Sequence, residues 1–260
     1  MTGFAESEVY FRGEKINLHF GGITALREVS YAVRKGTLHA VIGPNGAGKT
    51  SLFNVITGFY RANGGDVFLG DRKLSGLLPD QIARAGIART FQNVEIFSNM
   101  TVLENVVTGG HLHKGYGAFD TFFRTPRFFR RERALREQAE TLLDFVGLAD
   151  LRNVQASQLP YGLRRLLEIA RSLCSDPKIL LLDEPAAGLN IKETNSLGEL
   201  LRRIVDRGIT VLLVEHDMEL VMDVSDRILV MNFGEVIAEG TSAEVQRDRS
   251  VIAAYLGEDG

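Results

Sequence analysis

The apolar positions of the chain follow two periods. Near the amino terminus, EVYFR, KINLHF, REVSYAV and TLHAVIG are short runs with β-branched or aromatic residues, broken by glycine, and they predict an N-terminal sheet. LHAVIG runs straight into GPNGAGKT and then SLFNVITG, where Leu52, Val55 and Ile56 share a helical face, so strand, loop and helix follow in order. Further on, KILLLDE and ITVLLVEH are apolar almost throughout and end in acids or histidine, as parallel strands covered on both faces do. Between them KETNSLGELLRRIVDRG reads as a crossover helix, opened by Asn190 with Glu193 three residues on and stopped by Gly208. Strands alternating with helices in this way predict a doubly wound α/β core.

From about Thr90 to Ser172 strand signals thin out, and TVLENVVTG, RRERALREQAETLLDFVG and YGLRRLLEIARSL all have helical spacing. This stretch is expected to be a mostly helical insertion. Its last helix is placed from about Leu163, with Leu166, Leu167, Ala170 and Leu173 on one face. DRILVMNFGEVIAEG predicts a hairpin turning at Phe233 and Gly234, followed by one short helix over SAEVQRDRSVIAAYLG.

Composition narrows the class. The 260 residues are 45% hydrophobic and 24% charged, enough apolar material for a large core. Thirty Lys and Arg against 33 Asp and Glu give a net charge of -3, so no overall basic field points to nucleic acid, and no such partner is expected. The opening MTGFAESEVYFRGEK lacks the layout of a signal peptide, and no apolar run approaches the roughly 20 residues of a membrane span. A cytoplasmic location is expected. The single cysteine, Cys174, excludes an internal disulfide and a cysteine-rich zinc site, and is read as a small buried apolar residue.

The chemistry begins at GPNGAGKTS: Gly43, Pro44, Asn45, Gly46, Ala47, Gly48, Lys49, Thr50 and Ser51. Glycines let such a loop wrap a polyphosphate with its N–H groups inward, while the next helix offers its positive end. Lys49 can meet the outer phosphates and the Thr50 hydroxyl can ligate Mg²⁺. A plain glycine-rich turn is the alternative, and the strand before and helix after count against it. The loop alone leaves kinases, GTPases and ATPases open. ILLLDEP adds Asp183 at the carboxyl edge of a buried strand, placed to hold Mg²⁺ through a water beside Thr50. Glu184, next to it, can polarise a water for in-line attack on a γ-phosphate. Taken alone, two acids at a strand end also fit a solvated turn.

GPNGAGKTS, the glutamine of RTFQN, LPYGLRRLLEIARSL, ILLLDEP, AGLN and VEHD stand in the order and spacing of ATP-binding-cassette (ABC) ATPases, and this resemblance covers nearly the whole chain. Within that family GIARTFQNVEIFSNMTVLENV, LLDEPAAGLN, VEHDMELVMDVSDRI and the ending AYLG resemble the ATPase subunits of branched-chain amino acid importers, the LivG type. The resemblance implies an α/β P-loop NTPase core with an N-terminal antiparallel β subdomain and an inserted α-helical subdomain. Residues 1–90 and 173–260 would form the core and β subdomain, and 91–172 the helical part, with an arm over 109–136. It implies ATP and Mg²⁺ as ligands, with Phe20 of HFGG stacking on adenine. Gln92 would touch Mg²⁺ and the attacking water and report them to a permease, and His216 would contact the γ-phosphate. Tyr161 and Gly162 of LPYGLRR would face the ATP of another subunit, so that two chains sandwich two nucleotides.

The implied partners are membrane permease subunits, a second ABC ATPase subunit and, indirectly, a substrate-binding protein, with the chain peripheral on the inner face of the membrane. Three positions depart from the common family pattern: Pro160 stands where the signature has Ser, Leu163 where it has Gln, and Asn190 where the next loop usually has Asp. The nearest alternative is the ATPase of a lipopolysaccharide exporter, which shares many of these motifs. A soluble cassette protein acting on nucleic acid or ribosomes would prefer two cassettes or a basic surface, and neither is present. A kinase is disfavoured because Glu184 and His216 match the hydrolase pattern. The stretch GAFDTFFRTPRFFRRERALR, with six Arg between Arg124 and Arg136, stays open between a solvated loop entering a helix, a contact to anionic headgroups or permease, and a weaker nucleic-acid reading.

Overall fold

The computed structural model describes residues 9–90, 94–111 and 125–256. In chain order, β1 (Val9–Phe20) and β2 (Ile23–Arg34) form a hairpin, and β3 (Leu38–Ile42) leads through the loop 43–48 into α1 (Lys49–Ile56). β4 (Gly64–Leu69) and β5 (Arg72–Lys73) follow, then α2 (Pro79–Ala85) and β6 (Ile87–Arg89). The longer helices described before the next strand are α3 (Val102–Gly110), α4 (Pro126–Val146) and α5 (Tyr161–Leu173). β7 (Ile179–Asp183), α6 (Ile191–Asp206), β8 (Thr210–Val214), α7 (Met218–Val224), β9 (Arg227–Asn232) and β10 (Glu235–Gly240) complete the core, ahead of α8 (Ser242–Val245) and α9 (Arg249–Leu256).

The strands form two sheets. One is antiparallel, in the order β2-β1-β4-β5; the other runs β10-β9-β3-β8-β7-β6 and is parallel except for the β10 edge. β3, β7 and β8 are buried at all five positions, which is why their sequences are apolar without alternation. Alternation survives in what each side chain meets. Leu180, Leu182, Val211 and Leu213 join a core with Leu167 of α5 and Leu201 of α6, while Ile179, Leu181, Leu212 and Val214 join one with Phe53 and Ile56 of α1 and Phe11 of β1. The sheet is thus held on one face by helices of the later chain and on the other by α1 and the antiparallel sheet.

Several expectations change. EVYFR and KINLHF are one 12-residue strand, β1, whose register shifts twice between Gly13 and Leu18, with Lys15 at φ 47°; the polar GEK is a bulge, not a break. TLHAVIG leaves the N-terminal sheet and becomes β3 of the parallel one. The final helix is two, α8 and α9. α5 begins at Tyr161, with Pro160 as its N-cap residue, rather than near Leu163. Its buried side also differs: Leu167, Ala170 and Leu173 are covered, Leu166 is only partly so, and Arg165 and Glu168 lie inside as an ion pair at 3.2 Å. The expected turn at Phe233 and Gly234 is present, with φ of 45° and 79°, the left-handed pair that a two-residue hairpin needs. Cys174 is buried, and that burial pushes its thiol up to about 11, so it behaves as an apolar residue.

Candidate active site

Three neighbouring strands deliver the site. β3, β8 and β7 lie side by side, and the loop 43–48, His216 and Glu184 follow them at their carboxyl ends, the edge where open α/β sheets place ligands. Gly43, Gly46 and Gly48 take φ of 150°, 79° and 101°, conformations that only glycine adopts freely. The loop is wedged from both sides. A Cβ on Gly48 would come 2.7 Å from the Ala25 carbonyl oxygen of β2, and one on Gly43 would strike the Met231 carbonyl oxygen of β9. The β9–β10 turn locks on as well, since the Gly234 N–H donates to the Ala47 carbonyl at 3.0 Å. At Gly46 the space is open, and Asn45 and Thr50 are exposed. Lys49 opens α1 as a buried side chain, its Nζ donating to the carbonyls of Gly43 at 2.6 Å and Pro44 at 2.9 Å. The helix amino end, the glycines and this ammonium fit a polyphosphate.

Asp183 closes β7 and is buried, with its Oδ2 accepting from Arg89 at 2.8 Å. Both side chains of that pair are about 5% exposed. The same guanidinium donates to Asn54 at 2.7 Å and Thr57 at 3.2 Å on the α1 side, so it binds β6 to both β7 and the helix behind the phosphate loop. Among the described residues no three His, Cys, Asp or Glu stand close enough to cage a metal. The Thr50 hydroxyl and Asp183 carboxylate suit a hard cation that keeps water and phosphate oxygens for the rest of its shell, the habit of Mg²⁺.

Glu184 and His216 are brought together: Glu184 Oε1 and His216 Nε2 are 2.7 Å apart, with the carboxylate mostly covered and the ring 45% exposed. Glu184 has φ 48°, an uncommon backbone for a glutamate, fixed in part by its N–H donating to the Val214 carbonyl at 2.8 Å. The residue before His216 is Glu215, 3% exposed, whose carboxylate accepts from the N–H groups of Ala186, His216 and Asp217 at 2.6, 2.9 and 3.4 Å. Burial pushes its carboxyl above the usual range, those three amides pull it back, and the charge of Glu184 opposes them.

The segment at the start of α5 sits against its own chain. The Tyr161 ring packs on Gly188 in the loop after Glu184, and its hydroxyl accepts from Arg165 at 3.1 Å. Arg165 also reaches the Glu184 carbonyl at 3.5 Å. A Cβ on Gly162 would lie 3.0 Å from Oε1 of Glu193, on α6. Tyr161 remains 44% exposed. Phe20, at the end of β1, is 46% exposed and meets the Tyr60 ring edge-on, centroids 5.1 Å apart. Gln92 lies outside the described residues, as do residues 112–124 of the arm; its first two residues end α3, and from Pro126 the arm is α4, where Arg133 and Arg136 pair with Glu137 at 2.9 Å and Glu140 at 3.5 Å along the same exposed face. Arg89, Arg165 and Glu215 were not anticipated. Arg165 and Glu168 stand at helical i, i+3 spacing and could have been paired on that signal; Glu215 adjoins a quoted histidine and has no pattern of its own.

Comparison with known proteins decides the family. Residues 26–187 match the model of the ABC transporter family, and residues 235–260 match that of the branched-chain amino acid ATP-binding cassette transporter. The chain belongs to the ABC transporter family. It is 48% identical over 242 residues, covering 93% of this chain and 95% of the relative, to the high-affinity branched-chain amino acid transport ATP-binding protein LivG of Salmonella typhimurium. It is similar to the crystal structure of the ADP conformation of an ATP-binding cassette of an ABC transporter, with a TM-score of 0.84 and 34% identity over 96% of this chain and 99% of that one. A dimeric ATP-binding cassette in a post-hydrolysis state, bound to ADP and Pi, superposes with a TM-score of 0.73 at 25% identity over 89% of this chain and 98% of that one. The chain is an ABC ATPase with the α/β fold of that family. No helix of its described residues is long and apolar enough to cross a membrane.

Proposed function

We propose that this ABC ATPase hydrolyses ATP at the carboxyl edge of β3, β8 and β7 and thereby powers a membrane permease that imports branched-chain or related amino acids. The observation that carries the hydrolytic half is the Glu184–His216 contact at 2.7 Å, one strand away from the phosphate loop. Backbone N–H groups of 43–51 and the Lys49 ammonium hold the phosphates and oppose their charge. Glu184 takes the proton of a water whose oxygen attacks the γ-phosphorus, and ADP leaves with the bridging oxygen. His216, in contact with Glu184, orients that carboxylate and reaches the γ-phosphate. Mg²⁺, held by Thr50 and through water by Asp183, would offset the charge on the phosphate oxygens. Gln92, at the junction of the core and the helical insertion, would touch Mg²⁺ and the attacking water and report them to the permease, and Phe20 would stack on the adenine, with Tyr60 bracing its ring.

For the partner subunit, Tyr161 and Gly162 with the first turn of α5 are the surface that would meet the other chain's ATP. Pro160 has neither hydroxyl nor N–H, so Gly162 and the amides behind it would supply the donors. The amino-acid reading is supported by the LivG relative and by the match over residues 235–260. It is tested in proteoliposomes holding this chain with its copurifying permease. Leucine, isoleucine or valine on its binding protein should stimulate ATP hydrolysis; hydrolysis indifferent to all three would contradict the import reading. In the same system Lys49→Ala should abolish hydrolysis.

A further inference from the structure

Glu215 takes no part in the mechanism above, yet it is one of the few carboxylates the fold buries almost completely. Its Oε1 takes the Ala186 N–H at 2.6 Å, two residues after Glu184; its Oε2 takes the His216 N–H at 2.9 Å and the Asp217 N–H at 3.4 Å. One side chain therefore ties the loop that leaves β7, which carries Glu184, to the loop that leaves β8, which carries His216. Both loops need such a tie. Glu184 sits at φ 48°, a conformation that persists only when its surroundings over-determine it, and the 45%-exposed His216 ring can meet Glu184 only from a backbone held at the right distance.

We propose that Glu215 is a positioning residue for ATP hydrolysis, its carboxylate clipping the backbone after Glu184 to that of His216 so that the two side chains keep their mutual contact. The chemistry of the clip is specific. All three partners are N–H donors, and an ionised carboxylate offers only acceptors, whereas an amide would turn its own N–H groups toward one of them. An aspartate keeps the charge and withdraws it by one methylene, so it cannot span both loops. Hydrogen bonds to a charged group contribute roughly 1.5–3 kcal/mol, which is about 10- to 100-fold in rate when the geometry they hold is needed only in the transition state.

The inference rests on Glu184 and His216 being the hydrolytic pair, and the experiment separates the two ideas. Steady-state ATPase of the assembled transporter is measured for His216→Ala, Glu215→Gln, Glu215→Asp and the double variant Glu215→Gln/His216→Ala, with ATP binding by calorimetry on each. If His216→Ala hydrolyses normally, the assignment of the pair has failed, and the clip with it. If His216→Ala is impaired, Glu215→Gln and Glu215→Asp should each lower kcat about 10- to 100-fold, with KM and the ATP dissociation constant within about threefold of the parent. The double variant should be little worse than His216→Ala alone, because the clip acts through that histidine. Parent-like kcat in Glu215→Asp, a loss expressed in KM alone, or losses that multiply in the double variant would each overturn the proposal. Should Glu215→Gln fail to fold, Glu215→Asp decides it by the same kcat and KM criteria.

Discussion

Asp183 serves two cations with one carboxylate: one oxygen is fixed by Arg89, and the group as a whole is the proposed seat of Mg²⁺. The buried pair makes Arg89 a structural member of the site. Arg89→Ala leaves a carboxylate buried without its counter-charge and should cost roughly 3–5 kcal/mol of stability, read as a lower denaturant midpoint. Arg89→Lys, a point charge without the fork that also reaches Asn54 and Thr57, should recover only part. Parent-like stability in Arg89→Ala would show the pair to be incidental. Lys49→Ala is expected to weaken ATP binding at least tenfold by calorimetry, since it removes the ammonium from the outer phosphates. The places of Lys49, Asp183, Glu184 and His216 at the ends of strands and the start of a helix were legible, because each stands in a short motif beside an element that the apolar pattern predicts. Arg89 was not. Its partners lie 94, 35 and 32 residues away in sequence, and a lone arginine ending a three-residue strand carries no spacing to announce them.

At the scale of elements, α6 shows how local chemistry was read correctly. Asn190 was expected to open the helix with Glu193; the structure has Asn190 Oδ1 accepting from the Glu193 N–H at 3.1 Å and Glu193 Oε2 accepting from the Asn190 N–H at 2.9 Å. The Asn that departs from the family's usual Asp is therefore committed to capping. Asn190→Ala should lose about 0.5–2 kcal/mol and lower the melting temperature by a few degrees, while ATP binding stays unchanged. Nucleotide affinity falling in step with stability would mean that the cap serves the site directly. Glu193 also stands against Gly162, so a carboxylate placed there by Gly162→Asp would meet Glu193 of its own chain as well as any γ-phosphate. β1 and α5 show the limit of pattern reading. A bulge reads as a break because its polar residues interrupt the alternation. The Arg165–Glu168 pair reads as surface because charged residues are seldom buried unless paired.

One acid-sensitive group lies inside the parallel sheet that spans the molecule. His39, on β3, is buried, and its pKa is lowered from 6.5 to about 4, first by burial and then by Arg227 and Arg34; its Nε2 has no hydrogen-bond partner among the described residues. Between pH 6.5 and about 4 the unfolded chain binds a proton that the folded chain refuses, so stability falls as pH is lowered through that window, by up to about 3 kcal/mol. Melting curves from pH 7 to 4.5 should show this slope, and His39→Gln should flatten it; an equal slope in the variant would place the acid sensitivity elsewhere. That an early sheet accompanies a doubly wound core was legible in outline, from the near-continuous apolar strands and the crossover helix, whereas the pattern puts TLHAVIG in the wrong sheet because its membership is set by partners distant in sequence. The proposed pairing of chains was reached through the family resemblance alone, because a surface that would meet a second chain around ATP is exposed and leaves no apolar pattern. The role of Glu184 is read from Glu184→Gln, by phosphate release from the assembled transporter alongside calorimetric ATP binding. ATP should bind as in the parent with hydrolysis all but lost, whereas turnover near the parent rate would rule out Glu184 as the base and the site built around it.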